Sequence, residues 1–389
     1  MGSDPRSTQI TRSTPLPNLD NPLRFDQCAG RNKLKDTTMA DAGRTISPKD
    51  LEAYIDRIMR ACGFPDADAA TIARLMTEAD IRGSEGHGVF RIPHYVKRIR
   101  SGGMNLKPNI RVVSERKAMA LLDGDNGIGH LVMAKAAEIA IAKAKETGVA
   151  WVGARRSNHA GPAALYAQMA MAHDMIGLYA AVGNANHVPP WGGVDMLLST
   201  NPIAIAIPGG KRPPIVLDMA TTPAAYGKVK LAQQRGEQMP VGWMIDRKGQ
   251  PLLDPNRASE GFLLPIGGAK GYGLALMIGL LAGTLNGAAM GKDVVDFTAD
   301  HVTPTNTGQF IVALDIAAFA DVARFKADVD DIWDQMKGSA TMEGVSEVRL
   351  PGESAWRFAQ ERRPGGIPLP PELVKALDAT ARELGVAGL

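Results

Sequence analysis

Two side chains that could carry acid–base and carboxylate chemistry stand four residues apart in a glycine-rich segment. His87 lies between Gly86 and Gly88, and Arg91 follows. A histidine can exchange a proton with a substrate oxygen near neutral pH, and an arginine can hold a carboxylate by two parallel hydrogen bonds. On the first turn of one helix, the two would share a face. The pair suits reduction of a 2-oxo acid, although a helix-capping histidine beside a surface arginine has the same spacing.

A second histidine stands where a predicted strand gives way to a predicted helix. The apolar run 149–152 predicts the strand, Pro162 begins the helix, and His159 lies between them. Ligands of α/β proteins commonly bind where strands end and helices begin. His159 is therefore a candidate site residue, and a polar turn that caps the helix fits the sequence equally well.

A long polar loop, 183–202, connects two predicted strands and carries amides, a tryptophan and one carboxylate. Asn184 opens this loop, and Asp195 lies near its middle. Asn201 precedes a proline, which biases its backbone toward an extended conformation. The loop could cradle the ribose or amide groups of a ligand, or it could be only a structured crossover.

Two further segments have the character of nucleotide or anion sites. Asp218 ends a predicted strand, and Thr221 shortly after it could cap a helix. In 267–273, glycines surround Lys270 and lead directly into an apolar helix. The N–H groups at a helix start favour anions, and Lys270 adds a positive charge, so a dinucleotide phosphate is a natural occupant. Close packing of small residues is the alternative for these glycines.

The signatures of the commonest nucleotide and metal sites are absent from the sequence. No predicted strand is followed by G-x-G-x-x-G with an acidic residue about 20 positions later, and the glycines of 124–129 have another order. There is no G-x-x-x-x-G-K-[ST] and no H-E-x-x-H, and the cysteines at 28 and 62 cannot form a Cys-x-x-Cys site. We therefore expect neither a Rossmann nor a P-loop enzyme, and no metal.

The elements that must position these side chains alternate between helices and strands. Residue spacing and capping signals predict helices over 48–62, 66–82, 89–100, 131–145, 162–173, 270–285, 321–336 and 371–384. Apolar runs predict strands over 149–152, 176–182, 203–207, 215–218 and 310–315. This mixture predicts an α/β fold whose Gly- and Pro-containing connections are too irregular for a repeat of βαβ units.

Charge and composition exclude several classes of protein. The chain has 389 residues with 44 basic and 41 acidic side chains, a balance that predicts no nucleic-acid partner and no membrane partner. No apolar run reaches the roughly 18 residues of a membrane helix. Two cysteines in a chain of this length suit a reducing compartment, so we expect a cytoplasmic protein. Residues 1–38 are expected to be a leader or a disordered tail.

Taken together, these segments resemble the type 2 malate/lactate dehydrogenase family, which includes sulfolactate, ureidoglycolate and diketogulonate oxidoreductases and the piperideine- and pyrroline-2-carboxylate reductases. The stretches that carry the resemblance, in the family's order, are 190–193, 200–202, 218–222, 242–249, 254–255, 268–273 and 351–353. It implies a non-Rossmann α/β fold with a mixed sheet and flanking helices, built as a homodimer with active sites near the subunit interface.

The resemblance also implies a division of the chain and a role for each matching residue. It places the N-terminal helical part of a substrate and dimerisation domain at 39–120, a dinucleotide-binding domain at 121–320, and a C-terminal helical part that returns to the first domain at 321–389. The cofactor is NAD or NADP, and the substrate is a small carboxylate. The positions that match dinucleotide contacts are Asn184, Asp218, Met219, Ala220, Lys270, Gly271, Gly352, Glu353 and Ser354.

The implied reaction is hydride transfer between the nicotinamide and C2 of a 2-oxo or 2-hydroxy acid. His87 matches the catalytic histidine that exchanges a proton with the substrate oxygen, and Arg91 matches the arginine that anchors the substrate carboxylate. His159 matches a second active-site histidine. Asp195 falls where related sequences carry a carboxylate, and we expect it to have an orienting role.

One position departs from the family pattern, because Gly86 stands where the family usually has a serine before the catalytic histidine. The missing hydroxyl leaves room for a larger or differently shaped substrate, or weakens activity. Three functions stay open on the sequence: an oxidoreductase of open 2-oxo acids, a reductase of cyclic imino acids, and a dinucleotide-binding protein without turnover. Candidates for distinguishing NADPH from NADH are Arg155, Arg156, Lys270 and Arg349.

Overall fold

The helices and strands alternate along the part of the chain described by a computed structural model, residues 43–389 without the side chain of Gln234. The helices are α1 (Pro48–Ala61), α2 (Asp66–Ile81), α3 (Ile92–Arg100), α4 (Gly129–Thr147), α5 (Ala164–Ala167), α6 (Tyr226–Arg235), α7 (Ala269–Ala282), α8 (Val322–Lys337), α9 (Glu353–Gly365) and α10 (Pro371–Glu383). The strands are β1 (Arg44–Ile46), β2 (Arg111–Arg116), β3 (Met119–Asp123), β4 (Val149–Ser157), β5 (Met175–Ala181), β6 (Asn186–Val188), β7 (Leu198–Ser199), β8 (Ile203–Ile207), β9 (Ile215–Met219), β10 (Met244–Asp246), β11 (Gly261–Leu263), β12 (Thr307–Asp315) and β13 (Ile367–Leu369). The predicted tail, 1–38, lies outside the described residues.

A seven-stranded mixed sheet forms the centre of the fold, in the order β2-β3-β4-β12-β5-β8-β9. The β3–β4 pair is parallel and the other neighbours are antiparallel. The α/β class with a mixed sheet and flanking helices is therefore confirmed. Strand β12 arrives from late in the chain and pairs between β4 and β5, which brings the segment after β4 close to the segment before β12.

Capping and periodicity account for the elements that were predicted well. Helix α1 begins after Ser47, whose Oγ accepts the N–H of Asp50 at 3.1 Å, as expected for an N-cap serine. Helix α4 ends at Gly148, which has a φ of 79° that suits glycine. The predicted helices and strands elsewhere are observed with ends shifted by a few residues.

Two predicted helices are wrong, because each is a shorter α-helix joined to a 3-10 turn. The helix predicted at 89–100 is a 3-10 turn, Val89–Arg91, followed by α3. Pro93 lies in the first turn of α3, where its missing N–H is not needed, so it favours a helix start at this point. The helix predicted at 162–173 is the short α5 followed by a 3-10 turn, Gln168–His173.

Several observed elements were not predicted, because their sequences carry no local signal of a helix or strand. Every residue of β2 is exposed, so its sequence lacks the alternation of a half-buried strand. Helix α9 is largely polar and contains Pro364 in its last turn. The predicted loop 183–202 contains the hairpin formed by β6 and β7. Thr221 caps no helix, because its Oγ1 donates to the carbonyl of Thr200 at 2.9 Å and α6 begins five residues later.

The hydrophobic core of the helical layer joins the beginning and the end of the described chain. Buried side chains of α1 and α2 pack in one cluster with Leu377 and Ala381 of α10, while the sheet and α4 have a cluster of their own. The predicted division of the chain stays a prediction, and we propose that this cluster is the core of its first domain. Because β2 and β3 belong to the central sheet, we propose a boundary near residue 110 rather than 120. Across residues 43–389, no helix has the length and apolar character to span a membrane.

Candidate active site

The segment between α2 and α3 holds His87 and Arg91 in two consecutive 3-10 turns, Glu85–His87 and Val89–Arg91, that meet at Gly88. The sequence had suggested that the two side chains lie on the first turn of one helix. In the structure they lie in two separate turns. The Nε of Arg91 donates to the carbonyl of Gly86 at 2.7 Å. Neither Nη atom of Arg91 has a hydrogen-bond partner among the described residues, so both are available to an incoming carboxylate.

The buried carboxylate of Asp80 holds this segment in place. The Oδ2 of Asp80 accepts the N–H of Val89 at 2.7 Å, and burial raises the pKa of Asp80 to about 7. A Cβ at Gly88 would lie 2.2 Å from the Asp80 carboxyl, so only glycine fits there. From α9, Arg362 donates to the carbonyl of Asp80 and to Glu85, both at 2.6 Å. The end of the chain thus clamps the segment that carries His87.

Three aromatic rings stack in a row at the site. The imidazoles of His87 and His159 lie 5.5 Å apart at an angle of 12°, and Phe297 stacks on the other face of His159 at 5.3 Å. The hydroxyl of Tyr95 lies 2.6 Å from Nδ1 of His159, and the N–H of Gly161 points to the same nitrogen at 3.4 Å. Since an amide can only donate, Nδ1 is the acceptor and Nε2 of His159 carries the ring proton.

Burial sets the charge state of this group. It lowers the pKa of His87 to about 4, with the Arg91 guanidinium as the second cause. Burial, followed by the charges of Arg91 and the neighbouring histidines, holds the pKa of His159 well below its usual range. Both imidazoles are therefore neutral at pH 7, while Arg91 stays charged although burial lowers its pKa. A single positive charge beside two neutral imidazoles suits an anionic substrate.

Asn158, the residue before His159, is completely buried and held by a hydrogen-bond network. The Oδ1 of Asn158 accepts from Nε of Arg98 at 3.2 Å, and its Nδ2 donates to the carbonyl of Asn126 at 3.0 Å. Arg98 itself is completely buried and donates to the carbonyl of Asp300 at 2.7 Å. These contacts tie α3, β4 and the segment before β12 to one another, so they fix the position of the His159 ring.

A further histidine, His130, is completely buried in the first turn of α4. Neither of its ring nitrogens has a partner among residues 43–389, and its ring meets that of Tyr95 edge-on at 5.9 Å. Burial, then the neighbouring His87, lowers its pKa to about 3 from an ordinary 6.5. This ring must therefore stay neutral in the folded protein.

His130 should make the protein less stable in acid. A depressed histidine pKa gives stability that is present above pH 6.5 and is lost as the pH falls toward the folded-state pKa. From pH 7 to pH 5, this one group should remove about 2 kcal/mol from the free energy of unfolding. Urea titrations of His130→Gln should show a pH dependence weaker by that amount. Equal pH dependence in the variant and the wild type would contradict the assigned pKa.

Several predicted dinucleotide contacts line one cleft of about 540 Å³. Asp218, Gly352 and Ser354 all face it, beside Ser84 from the loop that leads to His87. The Oδ2 of Asp218 accepts the N–H of Ala164 at 3.0 Å, and the surrounding walls raise the pKa of Asp218 to about 6. Met219 and Ala220, which follow directly, are partly exposed.

Asn184 lies near the ring stack rather than in this cleft. Its Nδ2 donates to Oγ1 of Thr307 at 2.8 Å, and its carbonyl accepts the N–H of Phe297 at 3.0 Å. Asn184 thereby supports the ring that stacks on His159.

Other predicted site residues stand apart from the histidines in this chain. Asp195 and Lys270 are exposed and make no hydrogen bond or ion pair within the described residues. Gly271 is buried, and a Cβ there would lie 1.9 Å from the carbonyl of Ile266, so close packing requires glycine at this position. The side chain of Glu353 accepts the N–H of Leu350 at 3.1 Å and bonds Lys337 at 3.0 Å, outside the cleft lining.

Three of the four basic candidates for cofactor choice are already paired. Arg156 binds Asp123 at 3.1 Å, Arg155 lies 3.8 Å from the same carboxylate, and Arg349 binds Glu347 at 2.9 Å. Lys270, the fourth candidate, has no ion-pair partner within the described part of the chain.

The sequence did not point to three residues that shape the site. Tyr95 was detectable, because it follows Arg91 by four residues and so lies one helical turn further along. Phe297 comes from a segment with no local pattern, and Asp80 from a predicted helix in which nothing marked it, so only the tertiary fold brings them to the histidines.

Comparison with known proteins identifies the family. A sequence model described as malate/L-lactate dehydrogenase matches residues 46–378. The chain belongs to this family. A malate dehydrogenase of Pyrococcus abyssi is 38% identical over 351 residues, which cover 88% of this chain and 96% of the relative.

Solved structures of the malate/L-lactate dehydrogenase family have the same fold. The sulfolactate dehydrogenase of Methanocaldococcus jannaschii superposes with a TM-score of 0.82 at 37% identity, covering 88% of this chain and 98% of that one. The Δ1-piperideine-2-carboxylate reductase of Pseudomonas syringae pvar. tomato gives 0.77 at 29% identity, covering 87% of this chain and all of its own. Names of other relatives specify NAD(+) in one case and NADP(+) in another.

Proposed function

We propose that this protein is an NAD(P)-linked oxidoreductase that interconverts a small 2-oxo acid and its 2-hydroxy acid. The observation that carries the proposal is the stack of His87 on His159 beside an Arg91 whose two Nη atoms are free to bind a carboxylate. Relatives named as malate and sulfolactate dehydrogenases act on acids of this kind, which supports the assignment.

The cleft lined by Ser84, from the loop that leads to His87, has the properties that a dinucleotide needs. Its volume lies within the usual range of ligand pockets. Gly352, with a φ of 84°, precedes α9 at the cleft wall, and a Cβ there would lie 2.8 Å from Val216, so only glycine lets this helix start pack against β9. Asp218 and Ser354 offer polar groups in the same wall. When bound, the nicotinamide supplies or accepts the hydride.

The chain's own residues would orient the substrate and move its proton. Arg91 binds the C1 carboxylate through both Nη atoms and sets the distance of C2 from the rings. His87 gives a proton to the oxygen on C2 during reduction and takes it back during oxidation. His159 presents its Nε2–H to the same oxygen as a neutral hydrogen-bond donor, and Tyr95 fixes that tautomer. Ring stacking keeps the two imidazoles parallel.

The cyclic imino acids are the second candidate substrates, because they carry the same carboxylate and a relative of known structure is named for one of them. Gly86 is exposed and a Cβ there would meet no atom within 4 Å, so no described residue crowds a larger substrate at this position.

A substrate panel tests the proposed function. Purified protein with NADH or NADPH would be mixed with pyruvate, oxaloacetate, phenylpyruvate, piperideine-2-carboxylate or pyrroline-2-carboxylate. Oxidation of the cofactor would be followed by its loss of absorbance. We expect turnover of a 2-oxo acid with at least one cofactor. Dinucleotide binding with no turnover of any compound would instead identify a binding protein.

We further propose that the protein acts as a homodimer in the cytoplasm, and that α7 forms the interface. Its exposed face carries Leu274, Met277 and Leu281 below Lys270, at the spacing of one helical stripe. A stripe of this kind beside further exposed apolar residues of the 191–197 loop marks an interaction surface. Pairing two copies here would bury the start of α7 and place Lys270 at the interface.

Charge on this stripe should separate the subunits. Replacing Met277 and Leu281 by glutamate would put two carboxylates where apolar contact is needed, which we expect to weaken association at least 100-fold. Sedimentation velocity would show the wild type as a dimer and the variant as a folded monomer with reduced activity. Matched substitution of Met336, an exposed methionine on α8, should leave the dimer intact. If the α7 variant stayed dimeric, the interface would have to lie on another surface of the protein.

A further inference from the structure

The cleft proposed for the dinucleotide and the turn that carries His87 share part of one wall. Arg82, Gly83 and Ser84 line the cleft, and the carbonyl of Ser84 accepts the N–H of His87 at 2.8 Å. Ser84 belongs to both features, because the first 3-10 turn begins directly after it. A restraint on this wall therefore acts on the catalytic turn through a single hydrogen bond.

Another part of the cleft wall is the first half of α9. Ser354, Trp356 and Phe358 of this helix line the cleft. Phe358 also packs against Gly83, where a Cβ would lie 2.6 Å from the ring and where the φ of 78° suits glycine. The two parts of the wall meet at this contact, so a ligand that fills the cleft touches both of them.

Arg362 lies one helical turn after Phe358 and joins α9 to the catalytic turn. Its guanidinium lies over the Phe358 ring at 4.7 Å. One Nη donates to the carbonyl of Asp80 and the other to Oε1 of Glu85, both at 2.6 Å. Glu85 is the first residue of the 3-10 turn that ends at His87. One side chain thus contacts the cleft wall, the last turn of α2 and the catalytic turn.

The bond between Arg362 and Glu85 matters more for geometry than for folding. The Glu85 side chain keeps 60% of its surface exposed, against 9% for Arg362, and an ion pair with an exposed partner contributes little to stability. A guanidinium, however, is a planar fork with fixed donor directions. Because one Nη is held by the buried carbonyl of Asp80, the other fixes where Glu85, and with it the turn, can lie.

We propose that Arg362 is a positioning residue for His87, and that through it a dinucleotide in the cleft strengthens the binding of the 2-oxo acid. This inference rests on the proposed function. A ligand held between α9 and the loop before His87 restrains both, and Arg362 passes that restraint to the turn through Glu85. Arg91 is bonded to the carbonyl of Gly86 in the same turn, so its position follows. The substrate then loses less entropy in ordering the turn and binds more tightly.

The test measures the coupling between two ligands that do not touch each other. ADP-ribose fills the cleft but lacks the nicotinamide, and oxamate takes the place of a 2-oxo acid at Arg91. Calorimetry would give the dissociation constant of oxamate with and without saturating ADP-ribose. We expect ADP-ribose to tighten oxamate binding roughly fivefold or more in the wild type, and less than about twofold in Glu85→Gln and Arg362→Gln. Binding of ADP-ribose alone should be nearly the same in all three proteins.

Two further measurements distinguish positioning from a general loss of structure. Arg362→Lys keeps a positive charge beside Glu85, so it should retain part of the coupling. Hydrogen exchange of the peptide that contains His87 should become slower when ADP-ribose is added to the wild type, but not when it is added to Glu85→Gln. In that variant kcat for 2-oxo acid reduction should fall roughly tenfold, while KM for the dinucleotide stays nearly unchanged.

The matched control is Glu372→Gln, which removes another exposed ion pair, with Lys375 on α10, and should leave the coupling unchanged. Turnover by a wild type whose oxamate affinity does not respond to ADP-ribose would overturn the inference and leave the oxidoreductase standing. Equal coupling in the wild type and Glu85→Gln would show that Arg362 only caps the end of α2. Intact coupling without turnover of any substrate would instead contradict the proposed function.

Discussion

Replacing His87 by alanine should lower kcat for 2-oxo acid reduction by roughly 10²–10⁴-fold, the usual effect of losing a positioned general acid. The imidazole stacks on His159 next to the arginine that would hold the substrate. Steady-state kinetics with saturating cofactor would measure the loss, and KM should change little because Arg91 remains.

The pH dependence gives a second measure of the same role. Because the pKa of His87 is about 4, its protonated form is scarce at pH 8 and grows as the pH falls. We therefore expect kcat/KM for reduction to rise from pH 8 toward pH 5, and kcat/KM for oxidation to stay level over the same range. His173→Ala is the matched control. If His87→Ala had a nearly normal kcat and His159→Ala a large loss, the proton donor would be His159 rather than His87.

Replacing Arg91 by lysine should lower kcat/KM by roughly 10²-fold, mainly through KM, since one charge-assisted hydrogen bond contributes about 1.5–3 kcal/mol. Lysine keeps the positive charge but cannot make the two-pronged contact with a carboxylate. It also loses the bond from Nε to the carbonyl of Gly86. The measurement is KM for the 2-oxo acid at saturating cofactor.

A control for this variant is available at the end of α3, the helix that follows Arg91. Arg100 is exposed at the end of α3 and pairs with Glu383 on α10, so Arg100→Lys should leave KM unchanged. Circular dichroism would confirm that both variants fold. If Arg91→Lys bound the substrate as well as the wild type does, the carboxylate would have to bind elsewhere in the cleft.

The helices and strands that could be predicted from the sequence are those whose signal is local. Ser47 and Pro48 mark the start of α1, and Gly148 marks the end of α4, because caps act through their own backbone. The 3-10 turns around His87 could not be predicted in this way. They exist because Asp80 and Arg362, which are far apart in sequence, bind the segment from two sides.

The same distinction applies to the site. His87, Arg91 and His159 could be found because their residue types and neighbours suggest chemistry, and Tyr95 lies one helical turn from Arg91. Phe297 could not be found, since its position depends on the pairing of β12 between β4 and β5. The orienting role expected for Asp195 stays a prediction, because this side chain is exposed in the described chain.

The most direct test of the proposed reaction follows the hydride itself. NADH and NADPH with deuterium at C4 of the nicotinamide, in either of the two faces, would be incubated with oxaloacetate and the protein, and the product examined by mass spectrometry and NMR. The proposed function predicts one deuterium at C2 of the hydroxy acid from one face only, and much slower formation of this labelled product in His87→Ala. Product without deuterium at C2, or no product from any 2-oxo acid or cyclic imino acid, would contradict it.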